Sequence, residues 1–164
     1  MRHNMTVKVP LYGTIKYNLL VGTDLSDTIS GGQGTDIIYG GIGSDRLYGG
    51  TGKDVLIGGT GQDFLYGGSG ADTFVYTQAA DAGQGTMADV IGDFKSGVDH
   101  LNLSAFMAGG QFIADAGFTA GEGATVRYVA ATGLLEGDTN GDGVADFSIT
   151  LANHAHLVAT DIIF

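Results

Sequence analysis

The sequence contains no cysteine and no tryptophan, and only one proline occurs among its 164 residues. Without cysteine the chain forms no disulfide, no zinc–thiolate site and no thiol nucleophile. A chain that lacks disulfides and builds only a thin core needs another means of stabilisation, and bound metal is the obvious candidate.

Basic residues are also scarce, because 7 Lys and Arg stand against 18 Asp and Glu, for a formal net charge of −11. Such an acidic surface repels nucleic acid and anionic membranes, so neither is expected as a partner. No apolar run reaches transmembrane length, and Lys8, Pro10 and Lys16 interrupt the stretch that a Sec signal peptide would need. We expect no membrane insertion, and residues 1–21 are interpreted as a leader or the tail of an upstream domain.

Glycine, in contrast, is abundant: 30 residues, many of them in strict register. Six consecutive units of nine residues run from Gly22 to Val75, each with Asp at its sixth position and an apolar residue at its eighth. A fixed period with a fixed carboxylate is typical of a stacked, metal-filled solenoid. A glycine-rich linker with coincidental aspartates is the alternative, but it does not explain why position eight is apolar in all six units.

The repeat predicts how the chain stacks. Glycine at positions one, two and four permits positive φ and tight turns with inward carbonyls, and the short strands that follow point position eight to the interior. Two units complete one turn, so each unit stacks on the unit two places along, about 4.8 Å away. The aspartates then form two ladders, Asp27, Asp45 and Asp63 on one edge and Asp36, Asp54 and Asp72 on the other.

The ladders predict a metal. Carboxylates roughly 5 Å apart repel by about 3 kcal/mol per pair at an effective dielectric constant near 20. A hard dication between rungs reverses this repulsion, and two carboxylates with inward carbonyls make a six-oxygen cage that suits Ca²⁺ better than Mg²⁺ or Zn²⁺. We therefore predict about four Ca²⁺ ions, one between each adjacent pair of rungs.

The units resemble the RTX (repeats-in-toxin) nonapeptides, whose known fold is the parallel β-roll. The resemblance implies that the six aspartates bind Ca²⁺ together with backbone carbonyls of the glycine turns. The first unit departs from the pattern, with Thr23 in place of a glycine and Leu25 at the fourth position, which weakens the prediction for the Asp27–Asp45 site. The glycines implied are Gly31, Gly32, Gly34, Gly40, Gly41, Gly43, Gly49, Gly50, Gly52, Gly58, Gly59, Gly61, Gly67, Gly68 and Gly70.

After the repeats at 22–75, residues 76–164 are predicted to form a β-rich C-terminal cap, with strands at 90–91 and 101–103 around a turn and a further hairpin built from 126–129, 134–135 and 146–151. The fold class is therefore all-β. Asp24, Asp81, Asp93 and Asp99 are further candidate ligands. For Asp93 and Asp99 a solvated turn is the alternative.

A turn at 138–146 matches the first nine positions of an EF-hand loop, with Asp138, Asn140 and Asp142 as candidate ligands. Position twelve is Ile149, not the bidentate glutamate, so a glycine-rich β-turn is the favoured interpretation. His154 and His156 share one face if their segment is extended, but no third zinc ligand is evident.

The chain ends in Asp161, Ile162, Ile163 and Phe164, which resemble the uncleaved C-terminal signal of type I secretion substrates; an ordinary closing strand is a compatible interpretation. Segments 89–106, 138–151 and 161–164 together resemble the C-terminal region of serralysin-type (M10) metallopeptidases and other exported RTX proteins. The resemblance implies an extracellular location, with an upstream catalytic domain and the type I secretion machinery as partners.

No HExxH helix, GxSxG elbow or P-loop occurs, so the sequence predicts no enzyme activity for this chain. The predicted function is a calcium-binding module that folds outside the cell, supports secretion and stabilises an attached enzyme. The alternative is a module that binds an alginate-like polysaccharide, because Tyr39, Tyr48 and Tyr66 occupy outward positions. Only Tyr48 and Tyr66 are predicted to share a face.

Overall fold

A computed structural model describes residues 11–164, and the part of the leader prediction at 1–10 lies outside this range. The described residues form strands with little helix: one short helix, α1 (Ala79–Ala82), and two 3-10 turns, Gly85–Met87 and Ala159–Asp161. None of these helices is long and apolar enough to cross a membrane. The strands are β1 Leu11–Tyr12, β2 Leu19–Val21, β3 Thr28–Gln33, β4 Ile37–Ile42, β5 Arg46–Thr51, β6 Val55–Thr60, β7 Phe64–Ser69, β8 Thr73–Val75, β9 Asp89–Ile91, β10 His100–Asn102, β11 Gln111–Phe112, β12 Thr125–Val129, β13 Leu134–Asp138, β14 Phe147–Leu151 and β15 Ile162–Ile163.

The strands belong to two sheets. Sheet A has nine strands in the order β1-β3-β5-β7-β9-β14-β13-β12-β11, and sheet B has six in the order β15-β10-β8-β6-β4-β2. From β1 to β8 the chain alternates between the sheets, and each strand runs parallel to the strand two places along. This arrangement confirms the parallel β-roll.

The register of the roll is also as predicted. Ile29 pairs with Leu47 and Leu47 with Leu65 in sheet A, whereas Leu56 pairs with Phe74 in sheet B. Every position-eight side chain from Ile29 to Phe74 is at most 1% exposed. These residues form the narrow core between the sheets, because strand side chains alternate between the two faces.

The roll strands are longer than predicted. Strands β3 to β7 have six residues each and run into the first glycines of the next unit, so the turn shrinks to positions four to six. At position four of these turns, from Gly34 to Gly70, the stack admits only glycine. Gly52, for example, has φ 135°, and a Cβ there would overlap the carbonyl oxygen of Gly34 in the neighbouring rung.

Residues 13–21 form a rung that the sequence analysis placed in the leader. Leu20 pairs with Ile38 and is 8% exposed, which is the role of a position-eight residue. Asn18 stands where each later unit has its aspartate, and this replacement hid the unit. The boundaries predicted at residues 21 and 75 stay predictions, but both sheets continue across them.

The cap continues both sheets. Strand β9 pairs with β7 in sheet A and β10 with β8 in sheet B, so the prediction that they form a hairpin was wrong: residues 92–99 make a roll turn from one sheet to the other. The antiparallel strands β12, β13 and β14 confirm the later hairpin and join sheet A through β9. Strand β15 pairs with β10 and closes sheet B.

Candidate metal centre

The six repeat aspartates line the two edges of the roll as two columns of buried carboxylates, each at most 3% exposed. From Asp45 to Asp72, each Oδ1 accepts the backbone N–H of the aspartate one rung earlier. Asp36 donates to Asp54 at 2.8 Å and Asp54 to Asp72 at 2.9 Å, while Asp45 donates to Asp63 at 2.8 Å on the opposite edge. These bonds fix every carboxylate in the same orientation along its column.

The second oxygen of these ladder carboxylates, Oδ2, accepts no such backbone hydrogen bond. The Oδ2 atoms of Asp36, Asp54, Asp63 and Asp72 are buried and have no hydrogen-bond partner in residues 11–164. Burying an ionised oxygen without a partner is unfavourable, because the hydration it loses is not replaced. These atoms therefore require a partner that the described protein does not supply.

Glycine keeps open the space beside each Oδ2. A Cβ on Gly31 would lie 2.6 Å from Asp36 Oδ2 and 2.6 Å from the carbonyl oxygen of Gly49. The same two distances are found around Gly49, for Asp54 Oδ2 and the carbonyl oxygen of Gly67. A carboxylate oxygen of one rung and a carbonyl oxygen of the next thus converge on one space, and this set of hard oxygen donors fits Ca²⁺.

The aspartates disturb one another's ionisation. Burial raises the pKa of Asp54 to about 6 from 3.8; the N–H of Asp36 lowers it, and the charges of Asp72 and Asp36 raise it further. Burial raises the pKa of Asp63 to about 7, with repulsion from Asp45 and Asp81 adding to the shift. The metal-free ladders therefore resist full ionisation.

Both ladders continue into the cap. Asp89 accepts the N–H of Asp63 at 2.7 Å, and Asp99 accepts that of Asp72 at 3.0 Å. Asp99 was a candidate ligand, but Asp89 was missed. A signal existed, because each precedes an apolar core residue by two positions, as in every repeat. The inserted segment 76–88 hid the register.

Asp89 lies at the cap end of its column, beside the buried Tyr76. Neither Asp89 Oδ2 nor the Tyr76 hydroxyl meets hydrogen-bond geometry with a partner in residues 11–164, but the two groups are close enough for Tyr76 to lower the pKa of Asp89. Burial raises its pKa to about 9; the N–H of Asp63 lowers it, and the charge of Asp63 raises it further. Asp89 therefore resists ionisation as the repeat aspartates Asp54 and Asp63 do, although the Tyr76 hydroxyl lies beside it.

The ladder of Asp36, Asp54 and Asp72 begins at a neutral residue, Asn18. The N–H of Asn18 donates to Asp36 Oδ1 at 2.8 Å, and the Asn18 amide is satisfied by Thr14, whose Oγ1 accepts from Nδ2 at 3.1 Å. In the first ladder, the N–H and hydroxyl of Thr23 donate to Asp27 Oδ2 at 2.7 and 2.8 Å. Asp27 therefore differs from the later rungs, in line with the departure of its unit from the repeat.

Three further candidate ligands stay predictions, and their contacts differ from those of the repeat aspartates. Asp81 lies on α1 and accepts from the Thr77 hydroxyl at 2.6 Å and from Gln78 at 2.8 Å. Asp93 accepts the N–H groups of Gly67 and Gly68 at 2.9 and 2.8 Å. Asp24 is exposed in the first turn.

The loop at 138–146 stabilises itself. Asp138 accepts the N–H groups of Gly141 at 2.6 Å and Gly143 at 2.8 Å, and Asp142, which is exposed, accepts that of Val144 at 2.8 Å. Asn140 accepts the N–H of Asp142 at 2.8 Å. These are the contacts of a capped β-turn between strands.

His154 lies in a turn with φ 51°, so the segment is not extended there and the condition for a face shared with His156 is not met. Among residues 11–164, no three His, Cys, Asp or Glu side chains are grouped to hold a metal ion. The predicted cage differs from such a group, because it combines two carboxylates with backbone carbonyls.

The remaining candidate residues lie on the surface and at the C-terminus. Tyr48 and Tyr66 stack on sheet A, with ring centroids 5.2 Å apart and planes inclined by 11°, whereas Tyr39 lies on sheet B. Asp161 accepts from the Ser96 hydroxyl at 2.7 Å and from the N–H of Gly97 at 2.8 Å, which ties the C-terminus to a turn of the cap.

Known proteins resemble this chain in sequence and in fold. The profile of the family described as peptidase M10 serralysin C terminal matches residues 14–164. The sequence is 40% identical over 85 residues, 50% of this chain, to metallopeptidase AprA of Pseudomonas marginalis. The match covers only 18% of that protein's length.

The solution structure of the AlgE6R2 subunit from the Azotobacter vinelandii mannuronan C5-epimerase has the same fold, with a TM-score of 0.61 and 31% sequence identity. The alignment covers 90% of this chain and 92% of that subunit. In these relatives the matching part is a C-terminal region or a subunit of a larger enzyme.

Proposed function

This chain belongs to the peptidase M10 serralysin C-terminal family, and on that premise we propose that it is a non-catalytic module that folds when Ca²⁺ occupies its aspartate ladders. The observation that carries the proposal is the buried Oδ2 row: Asp36, Asp54, Asp63 and Asp72 present oxygens with no hydrogen-bond partner in the described protein. Two of these oxygens, on Asp36 and Asp54, share their space with a glycine carbonyl from the next rung.

In this proposal the two carboxylate oxygens of each ladder aspartate have different roles. Oδ1 keeps its bond to the backbone and holds the stack in register, while Oδ2 and the glycine carbonyl hold the ion. When bound, Ca²⁺ supplies the positive charge that offsets repulsion between neighbouring carboxylates. Asp89 and Asp99 extend the same arrangement beyond the four sites predicted from the repeats.

The size of the effect is sufficient for a folding switch. Extracellular calcium sites bind at roughly 10⁻⁴–10⁻³ M. At ten times the dissociation constant each site adds about 1.4 kcal/mol, or roughly 6 kcal/mol over four sites. That sum is comparable to the stability of a whole domain, so the metal-free roll would be at most marginally stable at neutral pH.

Calcium titration calorimetry tests the proposal. Asp54→Asn removes a carboxylate shared by two sites, and it should lower both the number of bound ions and the cooperativity of binding more than Asp27→Asn, at the end of its ladder. Asp115→Asn, at an exposed position that is not a candidate ligand, serves as the control and should match the wild type. If Asp54→Asn binds as many ions as the control, the ladders are not the calcium sites.

We further propose that the module is exported by a type I system, that it follows a catalytic domain in its polypeptide, and that it works outside the cell. The low-calcium cytosol would keep the roll unfolded for export. Support comes from the family membership and from the enzyme relatives, one a metallopeptidase and one an epimerase.

The C-terminal signal can be tested apart from the calcium sites. Ile163 is 40% exposed, so Ile163→Asp changes the terminal residues without placing a charge in the core. The variant should lose export through a co-expressed type I exporter while calcium-induced folding is unchanged. Normal export of the variant would reject the signal assignment.

A polysaccharide-binding function is the second candidate, favoured by the stacked pair Tyr48 and Tyr66 and by Arg46, whose guanidinium lies 5.0 Å from the Phe64 ring on the same strands. Titration of alginate into the calcium-loaded protein should shift resonances of these residues, and Tyr48→Ala should weaken binding more than Tyr39→Ala on the other sheet. No shift at millimolar sugar would eliminate this candidate.

A further inference from the structure

The loop at 138–146 contains a chemically reactive pair of residues, Asn140 and Gly141. It is the one place in the sequence where glycine follows asparagine; the other asparagines precede Met, Leu or His. Asparagine is thermolabile, and a following glycine makes it most reactive, because a residue without a Cβ lets its backbone nitrogen approach the asparagine side chain. Asn140 is exposed, so water reaches it.

The reaction open to this pair is cyclisation followed by hydrolysis. The backbone nitrogen of Gly141 attacks Cγ of Asn140 and loses its proton, the bond from Cγ to Nδ2 breaks, and ammonia leaves with that proton. Water then opens the five-membered imide at one of its two ring C–N bonds, which leaves aspartate or isoaspartate at position 140. The sequence of steps exchanges ammonia for water and consumes no oxidant or reductant.

The folded loop holds both reacting groups in other contacts. The N–H of Gly141, whose nitrogen would have to attack Asn140, donates to Asp138 Oδ1 at 2.6 Å. The Asn140 amide is held at both of its atoms: Oδ1 accepts the N–H of Asp142 at 2.8 Å, and Nδ2 donates to Asp146 at 3.2 Å. These contacts have to open before the ring can close.

The backbone of the loop requires the glycine that makes its asparagine reactive. Gly141 has φ 75°, and its carbonyl accepts the N–H of Gly121 at 2.7 Å. A Cβ on Gly141 would lie only 3.0 Å from Cα of Gly123. Because a left-handed and crowded position of this kind favours glycine, the loop can protect Asn140 only through hydrogen bonds.

We propose that Asn140 is a deamidation site that the folded loop keeps closed, and that Asp138 is the residue that holds it closed. Hydrogen bonds to a charged acceptor are strong enough that the loss of one raises an opening equilibrium by at least about tenfold. Exposed loops open at lower free energy than core strands, so the reaction proceeds through local opening of the loop and not through unfolding of the sheets.

The product would not fit the loop. A carboxylate at position 140 has no N–H to donate, so it would face Asp146 across the 3.2 Å that Asn140 Nδ2 now bridges. The pKa of Asp146 is lowered, chiefly by its hydrogen bond from the Thr139 hydroxyl, so Asp146 is ionised at neutral pH and would repel the new charge. Isoaspartate would also lengthen the backbone where Asp138 binds it. Deamidation would therefore leave the loop permanently open.

The test is incubation of the full, calcium-loaded chain at mildly alkaline pH, with mass spectrometry of proteolytic peptides and an enzymatic assay for isoaspartate. Deamidation at position 140 should be at least about tenfold slower in the native wild type than in the same chain unfolded in urea. Asp138→Ala should deamidate at least about tenfold faster than the native wild type. Equal rates in native and urea-unfolded wild type would overturn the proposal.

Asp161→Ala is the matched control, because Asp161 is another buried cap aspartate whose two oxygens accept hydrogen bonds from the chain. It lies outside the loop and should deamidate at Asn140 like the wild type. A rate in Asp138→Ala no faster than in Asp161→Ala would show that Asp138 does not hold the loop closed, and the proposal would fail. Asn140→Gln in the Asp138→Ala background should abolish the product, because the longer side chain cyclises slowly; persistence of the product would place the reaction elsewhere.

Discussion

The roll and the cap both bury aspartates, but they satisfy them differently. In the roll, Asp54 and Asp63 use one oxygen for a backbone N–H and leave the other without a hydrogen bond. In the cap, both oxygens of Asp138 and of Asp161 accept hydrogen bonds from the chain's own groups. The comparison teaches that buried roll carboxylates keep an oxygen that no group of the described chain satisfies, whereas Asp138 and Asp161 in the cap are satisfied by the chain itself.

The cap nevertheless depends on the roll for support. Strand β9 lies between β7 of the roll and β14 of the cap, and β10 lies between β8 and β15. Loss of the roll would therefore expose one edge of each cap sheet. If Ca²⁺ binds the ladders as proposed, it would act on the roll directly and on the cap through these shared strands.

The largest effect is expected from a charge in the roll core. Leu56 is fully buried between the sheets, so Leu56→Asp should prevent calcium-induced folding, at a cost of more than about 4 kcal/mol. Ile42→Asp, at a side chain that is 56% exposed, is the control and should fold like the wild type. Far-UV circular dichroism in millimolar Ca²⁺ distinguishes the two. A folded Leu56→Asp variant would contradict the two-sheet core.

A smaller effect, of a different kind, is expected in the cap. Asp138→Ala leaves the N–H groups of Gly141 and Gly143 without their acceptor, which should cost about 1–3 kcal/mol. Urea unfolding should show the loss, and calorimetry should show an unchanged number of bound calcium ions. A lower calcium stoichiometry would mean that the loop at 138–146 is a metal site, and the contrast between the two regions would be weaker.

The smallest effect, a shift in melting temperature with pH, has opposite signs with and without calcium. The folded-state pKa values of Asp54 and Asp63, about 6 and 7, lie above 3.8, so their burial is tolerated below pH 4 and becomes unfavourable as pH rises through 6–7. Metal-free protein should therefore melt higher at pH 5 than at pH 7.5. Calcium-loaded protein should melt lower at pH 5, because protons compete with the ion.

Melting curves of dialysed, metal-free protein and of calcium-loaded protein at the two pH values provide the measurement. A metal-free melting temperature that falls on acidification would show that the ladder acids are not strained by their burial.

Most of the roll could be predicted from the nine-residue period, because a fixed aspartate and a fixed apolar position determine both the register of the strands and the residues of the core. The rung at 13–21 escaped detection since Asn18 replaces the acid and only one glycine remains in it. Asp89 was not predicted because α1 and the following turn insert residues between Asp63 and Asp89. The two aspartates are neighbours in the stack, but they are not separated by a multiple of nine residues in the sequence.

The cap was predicted less well for a related reason. The turn at 92–99 has the local composition of a hairpin, and only its long-range pairing with β7 and β8 shows that it joins two sheets. A pocket lined by Phe112, Tyr128 and Leu157 brings together β11, β12 and the segment after β14, which are distant in sequence, so no local pattern predicts it.

The central claim is that Ca²⁺ supplies the missing partner of the ladder carboxylates. Hydrogen exchange of the backbone amides in strands β3 to β8 tests it most directly, in excess chelator and in millimolar Ca²⁺ at neutral pH. The account predicts rapid exchange in chelator and strong protection with Ca²⁺. Equal protection of these amides in both conditions would contradict it.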